Sequence, residues 1–596
     1  SATLTLGKED GNVSITNPEI IGSRYGISNE GNGTFNFYDG IIKGKTAING
    51  NLSAKEKGYE VITTEENEIE TAILGNLPVA KIGEKEYYTF QEAFDACPSD
   101  GTETTVEVLR NCTTDMANII EENKNIVLDI QSYKIVSGIE NLFTNNGKFK
   151  IVDSIGNGRI ISAKGTILKN EETGNFAINN ITMQMTGSSA IDETIENKGM
   201  LEVTGGVIIS DGLKNKCINN IEQGTVKITG GTVSAYTYAI YNTSSNKVEI
   251  EGGTVQATYY YEGYSAIYNN TENGVVEIKG GLVTNQGKAI ENKKGTIKVT
   301  GGEIRTTQGD TRYSECGIYN NGKVIIEDGK VAALYRGSGI QNEGGTIEIT
   351  GGTVSAPEWY NSIINRGTLE ISGGTIKSNE KGIYNNSILK MTGGTVEVQE
   401  PNYAALECGG GTATIEGGTI KYNNAGNTNY NTAAIKITTN TATLTLGKED
   451  GNVSTTNPEI IGSTYGISNE GNGQFNFYDG IVKGILAAIS GNITRVEDKY
   501  TLVGGTEDNY QTTTLGFLAT DTMTACVNGT YYSTLQEAIN SCIDNKETYI
   551  ILVNGATVSE NITISSNKII KMSIKNADCK SRQSLMLSMF FRIYIS

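Results

Sequence analysis

Tyrosine recurs in the irregular segments between short apolar runs, where an aromatic ring could bind a ligand. Exposed rings with Asn, Ser and Glu beside them suit the C–H faces and hydroxyl groups of sugars, or another protein surface. Tyrosine also favours strands and strand edges, so the same residues could serve only to order the loops. The candidate ligand-binding residues are Tyr236, Tyr238, Tyr259, Tyr260, Tyr261, Tyr264, Tyr313, Tyr335, Trp359 and Tyr360.

Histidine is absent from the 596 residues, which removes several catalytic chemistries. Ser-His-Asp triads, Cys-His pairs and histidine-containing zinc sites are all excluded. The eight cysteines include no C-x-x-C pair and are too sparse for a disulfide scaffold. Cys217 and Cys316 replace a small residue of the repeats described below, and Cys408 replaces an asparagine, which predicts that all three fill the core. No catalytic residue and no cofactor is predicted.

The charge balance limits the partners. Asp and Glu number 67 against 48 Lys and Arg, giving a formal net charge of −19, which argues against nucleic acid and anionic lipid. No run of about 18 apolar residues occurs, so no membrane span and no direct membrane insertion is predicted.

One repeated strand position carries alternating lysine and glutamate. Neighbouring Glu249 and Glu277, and likewise Glu348 and Glu370, could bind calcium weakly. A solvated face with Lys–Glu pairs explains the same pattern. No dedicated metal site is therefore predicted.

A long internal duplication organises the chain. Residues 2–44 and 442–484 are offset by 440 positions and differ at only four of them. A second matching pair follows at 87–94 and 532–539. The chain therefore reads as part of a tandem array of large modules.

A short period lies inside the module. A Gly-Gly doublet, once replaced by Asp-Gly, recurs at spacings of 20 to 28 residues and is followed by Thr-Val or a relative. Self-similarity at this period indicates a solenoid. Residues alternate in Gly224–Thr229 and again after Gly231, and β-branched residues bounded by Gly and Asn are strand signals. Each repeat then carries three short strands, with a glycine corner at positive φ between the second and third. An all-β, three-sided parallel β-helix fits this pattern.

An asparagine column supports the same fold. In Ile-Tyr-Asn, an inward Ile places the Asn inward as well. Inward asparagines stacked about 4.8 Å apart can hydrogen-bond one another and the turn backbone. The predicted structural ladder holds Asn145, Asn170, Asn197, Asn220, Asn242, Asn269, Asn292, Asn320, Asn342, Asn365, Asn385 and Asn469.

The Gly-Gly-Thr-Val and Ala-Ile-Tyr-Asn units resemble those of the right-handed parallel β-helix, or pectin-lyase-like, repeat proteins of the bacterial cell surface. The resemblance implies a right-handed solenoid with coils of about 20–28 residues. Residues 88–97 read as a short amphipathic helix with Thr89 as its cap. In this family such a helix closes the N-terminal end, where an open coil would leave an unpaired sheet edge.

The family also contains enzymes that cleave polysaccharides. Its lyase members bind calcium through clustered aspartates and use an arginine as base, and its hydrolase members carry a Gly-His-Gly motif that this chain lacks. The remaining candidates are Arg305, Arg312 and Arg336 with Asp310 and Asp328, without a paired-aspartate motif. Ordinary loop charges explain these residues better than a lyase site.

The duplication predicts the domain organisation. Residues 1–44 would be the last coils of one module, and 45–86 a β-rich linker or small domain. Residues 87–484 would be a complete module, 485–530 a second linker and 531–575 the start of a further module. The basic, Met-rich segment 576–596 breaks the pattern; a truncated or out-of-frame end is the favoured interpretation, and a genuine tail is the alternative.

These features favour a non-catalytic extracellular protein attached to a cell surface. The leading hypothesis is a bacterial adhesin or surface-layer component whose Tyr-rich loop edge binds host or environmental glycans or surface proteins. A passive stalk or spacer is the second hypothesis. A polysaccharide lyase or hydrolase is the third.

Overall fold

The structure is a computed structural model. It describes residues 2–10, 12–31, 33–56, 59–75, 77–187, 193–213, 215–259, 263–307, 315–357, 359–399, 403–423, 432–517, 524–528, 530–552, 562–565 and 567–574. The segment predicted as an aberrant tail, 576–596, lies outside them. The chain divides into two compact units, Ser1–Ile363 and Ile364–Ser596, each described by itself below.

The chain is all-β, with 57% of its residues in strands, and it folds as a parallel β-solenoid. The strands that precede the first helix are β1 (Thr3–Leu6), β2 (Glu19–Ile21), β3 (Tyr25–Asn29), β4 (Thr34–Phe37), β5 (Ile41–Gly44), β6 (Thr46–Gly50), β7 (Ala54–Lys55), β8 (Glu60–Glu66), β9 (Ile69–Gly75), β10 (Ala80–Ile82) and β11 (Lys85–Tyr87).

Helix α1 (Phe90–Ala96) opens the long run of coils in the first unit. The strands that follow it are β12 (Glu103–Val108), β13 (Cys112–Thr114), β14 (Asn118–Ile120), β15 (Asn125–Asp129), β16 (Lys134–Ser137), β17 (Asn141–Asn145), β18 (Lys148–Val152), β19 (Arg159–Ser162), β20 (Thr166–Asn170), β21 (Asn175–Asn179), β22 (Thr182–Met185), β23 (Glu193–Asn197), β24 (Met200–Val203), β25 (Val207–Ser210), β26 (Lys216–Asn220), β27 (Thr225–Ile228), β28 (Thr232–Ala235), β29 (Tyr238–Asn242), β30 (Val248–Ile250), β31 (Thr254–Ala257), β32 (Ser265–Ile278), β33 (Leu282–Asn285), β34 (Lys288–Thr306), β35 (Cys316–Asn320), β36 (Lys323–Ala333), β37 (Ser338–Asn342), β38 (Thr346–Ile349), β39 (Thr353–Ala356) and β40 (Asn361–Asn365).

The second unit contains further coils and a second short helix, α2 (Leu535–Ser541). Its strands are β41 (Thr368–Ile371), β42 (Thr375–Ser378), β43 (Lys381–Asn385), β44 (Ile388–Met391), β45 (Thr395–Val398), β46 (Leu406–Cys408), β47 (Thr412–Ile415), β48 (Thr419–Tyr422), β49 (Ala433–Ile437), β50 (Thr443–Leu446), β51 (Glu459–Ile461), β52 (Tyr465–Asn469), β53 (Gln474–Phe477), β54 (Ile481–Gly484), β55 (Ala487–Ser490), β56 (Arg495–Val496), β57 (Tyr500–Glu507), β58 (Tyr510–Phe517), β59 (Ala525–Val527), β60 (Thr530–Tyr532), β61 (Glu547–Leu552) and β62 (Ile569–Ile574).

Each coil contributes three strands, and successive coils pair in parallel. In the first unit β12 pairs with β15, β13 with β16, and so on through β28 with β31. The strands β32 and β36 each run through one corner and supply two sides of a coil, whereas β34 runs through two corners and supplies three sides. In the second unit β41 pairs with β44, and the same spacing continues to β53 with β56. The predicted parallel β-solenoid is confirmed.

Alternation along each strand fills the core. In β28, Val233 and Ala235 are buried while Thr232 and Ser234 are half-buried. The glycine that precedes this strand makes the corner: Gly231 has φ +74°, and a Cβ there would lie 2.6 Å from the carbonyl oxygen of Gly206. Only glycine fits a positive φ at such a close backbone approach.

The asparagine column forms a buried ladder in the first unit. From Asn145 to Asn320, each ladder asparagine donates from Nδ2 to Oδ1 of the next at 2.7–2.9 Å. In the second unit Asn365 donates to Asn385 at 2.7 Å. Cys408 and then Ile437 take the next positions in register, which interrupts the ladder before Asn469. Asn469 donates to the backbone oxygens of Gly473 and Asn492.

The buried cysteines fill the core as predicted. The pairing of β26 with β29 aligns Cys217 with Ala239, and the pairing of β35 with β37 aligns Cys316 with Ser338. Both side chains are fully buried. Burial raises the pKa of Cys316 and of Cys408 to about 12, so neither thiol is a nucleophile at neutral pH.

Helix α1 covers the N-terminal end of the coils, as the sequence predicts. Thr89 accepts a hydrogen bond from the Glu92 amide, and Glu92 bonds back to the Thr89 amide, which completes a capping box. Gln91 then pairs with the exposed edge of β14: its Oε1 accepts from the Ile119 amide at 2.6 Å, and its Nε2 donates to the Ile119 carbonyl at 3.1 Å. The glutamine side chain thereby replaces a neighbouring strand. Neither α1 nor α2, the helices in the described ranges, is long and apolar enough to cross a membrane.

In each unit an antiparallel hairpin closes the C-terminal end of a run of coils. In the first unit this run precedes α1: β8 and β9 form a hairpin, and β9 pairs antiparallel with β5. In the second unit β57 and β58 form the equivalent hairpin on β54. These hairpins lie in the segments predicted as linkers or small domains. They supply hydrogen bonds to an edge that would otherwise be open.

A buried carboxylate stands next to the second hairpin. Glu497 is 5% exposed, and its Oε1 accepts from the Gly451 amide at 3.0 Å. Within the described part of the chain, its Oε2 has no hydrogen-bond partner. Burial raises the pKa of Glu497, and the nearby carboxylates of Glu449 and Asp450 raise it further.

We expect Glu497→Gln to stabilise the second unit at neutral pH by about 1 kcal/mol, because the amide removes a buried charge and keeps the acceptor for Gly451. Because the pKa of Glu497 is raised in the folded state, the wild-type protein loses stability as the pH rises above the pKa that glutamate has in the unfolded chain. The gain should therefore vanish near pH 4, about the unfolded pKa of glutamate, where wild type is protonated as well. Urea denaturation at both pH values measures this. A variant less stable than wild type at neutral pH would show that the charge is compensated.

Candidate binding surface

The tyrosine-bearing loops lie beside one another because the strands on both sides of them are in register. Strands β28, β31 and β33 stack at the start of these loops. Strands β29 and β32 stack at their end, with Tyr241 directly opposite Tyr268. Side chains from successive coils therefore meet on one surface.

Six tyrosines form a continuous cluster on this surface. The rings of Tyr241 and Tyr268 are stacked, with centroids 4.8 Å apart and planes at 13°. Tyr238 packs edge-on against both of them and against Tyr264 at 5.3–5.6 Å. Tyr259 joins Tyr264 at 5.5 Å and Tyr236 at 4.7 Å. We call Tyr236, Tyr238, Tyr241, Tyr259, Tyr264 and Tyr268 the tyrosine cluster; all six are half-buried.

Two hydroxyl groups of the cluster are shifted by their surroundings. Burial raises the pKa of Tyr238 and of Tyr268, and the neighbouring Glu291 carboxylate raises both further. Tyr238 donates its hydroxyl hydrogen to the carbonyl oxygen of Gly263, which fixes the central ring. The cluster thus offers apolar ring surface together with hydroxyl donors and acceptors.

Charged side chains stand on both sides of the cluster. Lys216 places its Nζ 4.2 Å from the centroid of the Tyr241 ring. On the next coil, Glu291 lies opposite Tyr268 in register and is only 2% exposed. Lys293 pairs with Glu291 at 2.8 Å and Lys288 pairs with it at 3.4 Å. Each cationic group is therefore held against a ring or a carboxylate.

The structure brings only part of the predicted tyrosine set together. Tyr236, Tyr238, Tyr259 and Tyr264 are members of the cluster. Tyr335 and Trp359 lie on later loops and are each 63% exposed, with Trp359 at a φ of +71°; Tyr360 beside it is half-buried. Three predicted residues lie outside the described residues: Tyr260, Tyr261 and Tyr313.

The candidate set drawn from the sequence did not include Tyr241 and Tyr268, but their stacked pair is at the centre of this surface. The set did not include Lys216 or Glu291 either. The repeat alignment could have indicated Lys216, because Glu193, Lys216 and Tyr238 occupy one strand position on successive coils. Outward residues at one strand position must touch from coil to coil.

Glutamates that were considered for calcium binding form ion pairs with neighbouring lysines. Lys247 and Lys279 each bridge Glu249 and Glu277, the carboxylates considered for weak calcium binding, and Lys323 pairs with Glu348 at 2.7 Å. In the described ranges no three His, Cys, Asp or Glu side chains converge to hold a metal ion.

Of the residues considered for a lyase site, Arg305, Arg336 and Asp328 lie in the described ranges. Arg305 pairs with Glu303 at 3.2 Å. The Arg336 guanidinium lies 5.6 Å from the centroid of the neighbouring Tyr335 ring. Asp310 and Arg312 lie outside the described residues.

Comparison with protein-family models, with curated proteins and with solved structures finds no match for this chain.

Proposed function

We propose that this chain is a non-catalytic extracellular repeat protein, attached to a cell surface, whose tyrosine cluster binds a glycan or a protein. The observation that carries the proposal is the stacked pair of Tyr241 and Tyr268, which lie on paired parallel strands and form one cluster with four further rings. A bacterial adhesin or surface-layer component is the role that this surface fits.

The physical argument rests on preorganisation. Tyr238, Tyr241 and Tyr268 sit on strands whose backbone hydrogen bonds fix the spacing, so these three side chains have little entropy left to lose on binding. The rings of Tyr241 and Tyr268 are stacked 4.8 Å apart and restrain each other, and both are partly exposed. Tyrosine hydroxyl groups supply hydrogen bonds at the edge of the cluster.

The family assignment is part of the same proposal. The Gly-Gly corners, the three strands per coil and the asparagine ladder support a place among the right-handed, pectin-lyase-like β-helix repeat proteins of the bacterial surface. The proposal includes no catalytic activity.

The test is binding of the full chain to a broad array of host and environmental glycans. We expect saturable binding to a narrow class, and we expect the double change Tyr241→Ala and Tyr268→Ala to weaken it at least about tenfold, as loss of an aromatic anchor does. Tyr335→Ala is the matched control, because it removes an exposed ring outside the cluster and should leave binding unchanged. Equal losses in both variants would reject the site.

A passive stalk is the second candidate, and the asparagine ladder favours it. A buried chain of amide hydrogen bonds resists local unfolding whether or not a ligand binds. This function predicts a blank glycan array and no protein captured through the tyrosine cluster. It also predicts resistance to stretching in single-molecule force experiments. Saturable binding that depends on the cluster would reject the passive role.

A further inference from the structure

Three reactive side chains converge beside the tyrosine cluster, on the outward face of β23 and β26. Glu193 and Lys216 lie opposite each other in register, and Asn219 follows on the strand of Lys216. Lys216 Nζ donates to Asn219 Oδ1 at 3.1 Å, and Asn219 Nδ2 donates to a Glu193 carboxylate oxygen at 2.6 Å. The same carboxylate oxygen is 3.8 Å from Lys216 Nζ. An amine, a carboxamide and a carboxylate thus touch pairwise.

The three groups are sheltered from bulk water. Asn219 is 6% exposed, and the side chains of Glu193 and Lys216 are 13% and 25% exposed. The Tyr241 ring lies over the amine. Burial raises the pKa of Glu193, while the Lys216 charge opposes that rise. A carboxylate in such a place is a better base than an exposed one.

We propose that Lys216 and Asn219 form an intramolecular isopeptide bond, with Glu193 carrying the proton from the amine to the leaving ammonia. The site requires no cofactor, metal or oxidant. It is independent of whether the tyrosine cluster binds a ligand.

The atoms balance in two steps. Glu193 first takes a proton from the Lys216 ammonium, and the free amine attacks Cγ of Asn219 to form a tetrahedral adduct. The C–Nδ2 bond then breaks while Glu193 returns a proton to the departing nitrogen. The products are a Lys216 Nζ–Cγ amide and one ammonia, which leaves as ammonium and takes the proton that the amine carried. No electron is gained or lost.

The positions of the three side chains favour this sequence of proton transfers. The carboxylate oxygen is within hydrogen-bond distance of the leaving nitrogen and near the attacking one, so a single group can serve both proton transfers. Holding amine and amide in contact replaces a bimolecular encounter, which is worth many orders of magnitude in rate. The link would also remove the charge of Lys216 and fix its stem beside Tyr241.

The experiment is intact-mass analysis of the purified, reduced full chain, followed by a tryptic map. We expect the chain to be lighter than its sequence by about 17 Da, the mass of one ammonia. Trypsin should not cut after the acylated Lys216, so Asn215–Lys227 should appear as one peptide with that deficit. Asn219→Ala and Glu193→Gln should both restore the sequence mass. Lys247→Arg is the control: this lysine contacts two carboxylates, and its loss should leave the deficit unchanged.

Two results would overturn the proposal. One is a wild-type chain with the full sequence mass, which needs no variant to interpret. The other is a deficit of the same size in a chain that trypsin still cuts after Lys216, because that pattern denotes a succinimide at an asparagine. A deficit that persists in Glu193→Gln with Lys216 uncut would assign the bond but reject Glu193 as its proton carrier.

Discussion

Replacing Asn242 by alanine should lower the free energy of unfolding of the central coils by about 2–4 kcal/mol. Asn242 Oδ1 accepts from Asn220 at 2.7 Å, and its Nδ2 donates to Asn269 at 2.8 Å. All three side chains are fully buried. Alanine leaves one donor and one acceptor without these partners where water does not reach, and the desolvation cost of both remains.

The control for Asn242 lies in the same coil. The Asn246 side chain donates from Nδ2 to the Gln223 carbonyl oxygen at 2.6 Å, in an exposed environment. Asn246→Ala should cost less than about 1 kcal/mol, because water can replace the lost bond. Long repeat arrays do not unfold in a single step, so native-state hydrogen exchange in β26, β29 and β32 is the measurement. Equal protection in both variants would show that the ladder is not a stabilising network.

Phe94→Ala should detach the N-terminal cap and cost about 3–5 kcal/mol, as large-to-small changes at fully buried aromatic positions do. The Phe94 ring lies 6.2 Å from Phe143 and 5.8 Å from Phe149, and Phe149 continues to Phe176 at 5.7 Å. Without this anchor, Gln91 no longer stays on the edge of β14. An open parallel edge then becomes available to other chains.

The cap prediction is checked by hydrogen exchange in β12–β14 together with gel filtration. Faster exchange and concentration-dependent association are expected for Phe94→Ala. Tyr88→Ala is the control, because Tyr88 precedes the same helix but is 46% exposed. A monomeric Phe94→Ala protein with unchanged exchange would mean that the helix is dispensable for closing the solenoid.

Features set by short-range rules could be predicted from the sequence. Gly231 must adopt a positive φ wherever two strands meet at a tight corner, and Asn242 must point inward wherever Ile240 does. Thr89 and Glu92 form a capping box from their spacing alone. These predictions need only the strand period and the helix-cap rules, and the structure confirms them.

Features set by contacts between coils could not be predicted in the same way. Loops of unequal length separate the third strand of one coil from the first strand of the next, so the contact of Lys216 with the Tyr241 ring depends on the final register. Strand β34 stays continuous through its corners because it pairs with the coils on both sides of it. The closing role of β58 depends on a partner strand, β54, that lies 26 residues or more before it. Long-range pairing of this kind has no local sequence signature.

The closures at the two ends of the coils have an evolutionary consequence. Each 440-residue period encodes its own helix cap and its own hairpin cap, and the segments 2–44 and 442–484 are nearly identical. An unequal crossover between these two segments would add or delete one whole period in frame. The recombinant chain would still begin and end each solenoid with a paired edge. The number of periods can therefore change without a cost in foldability.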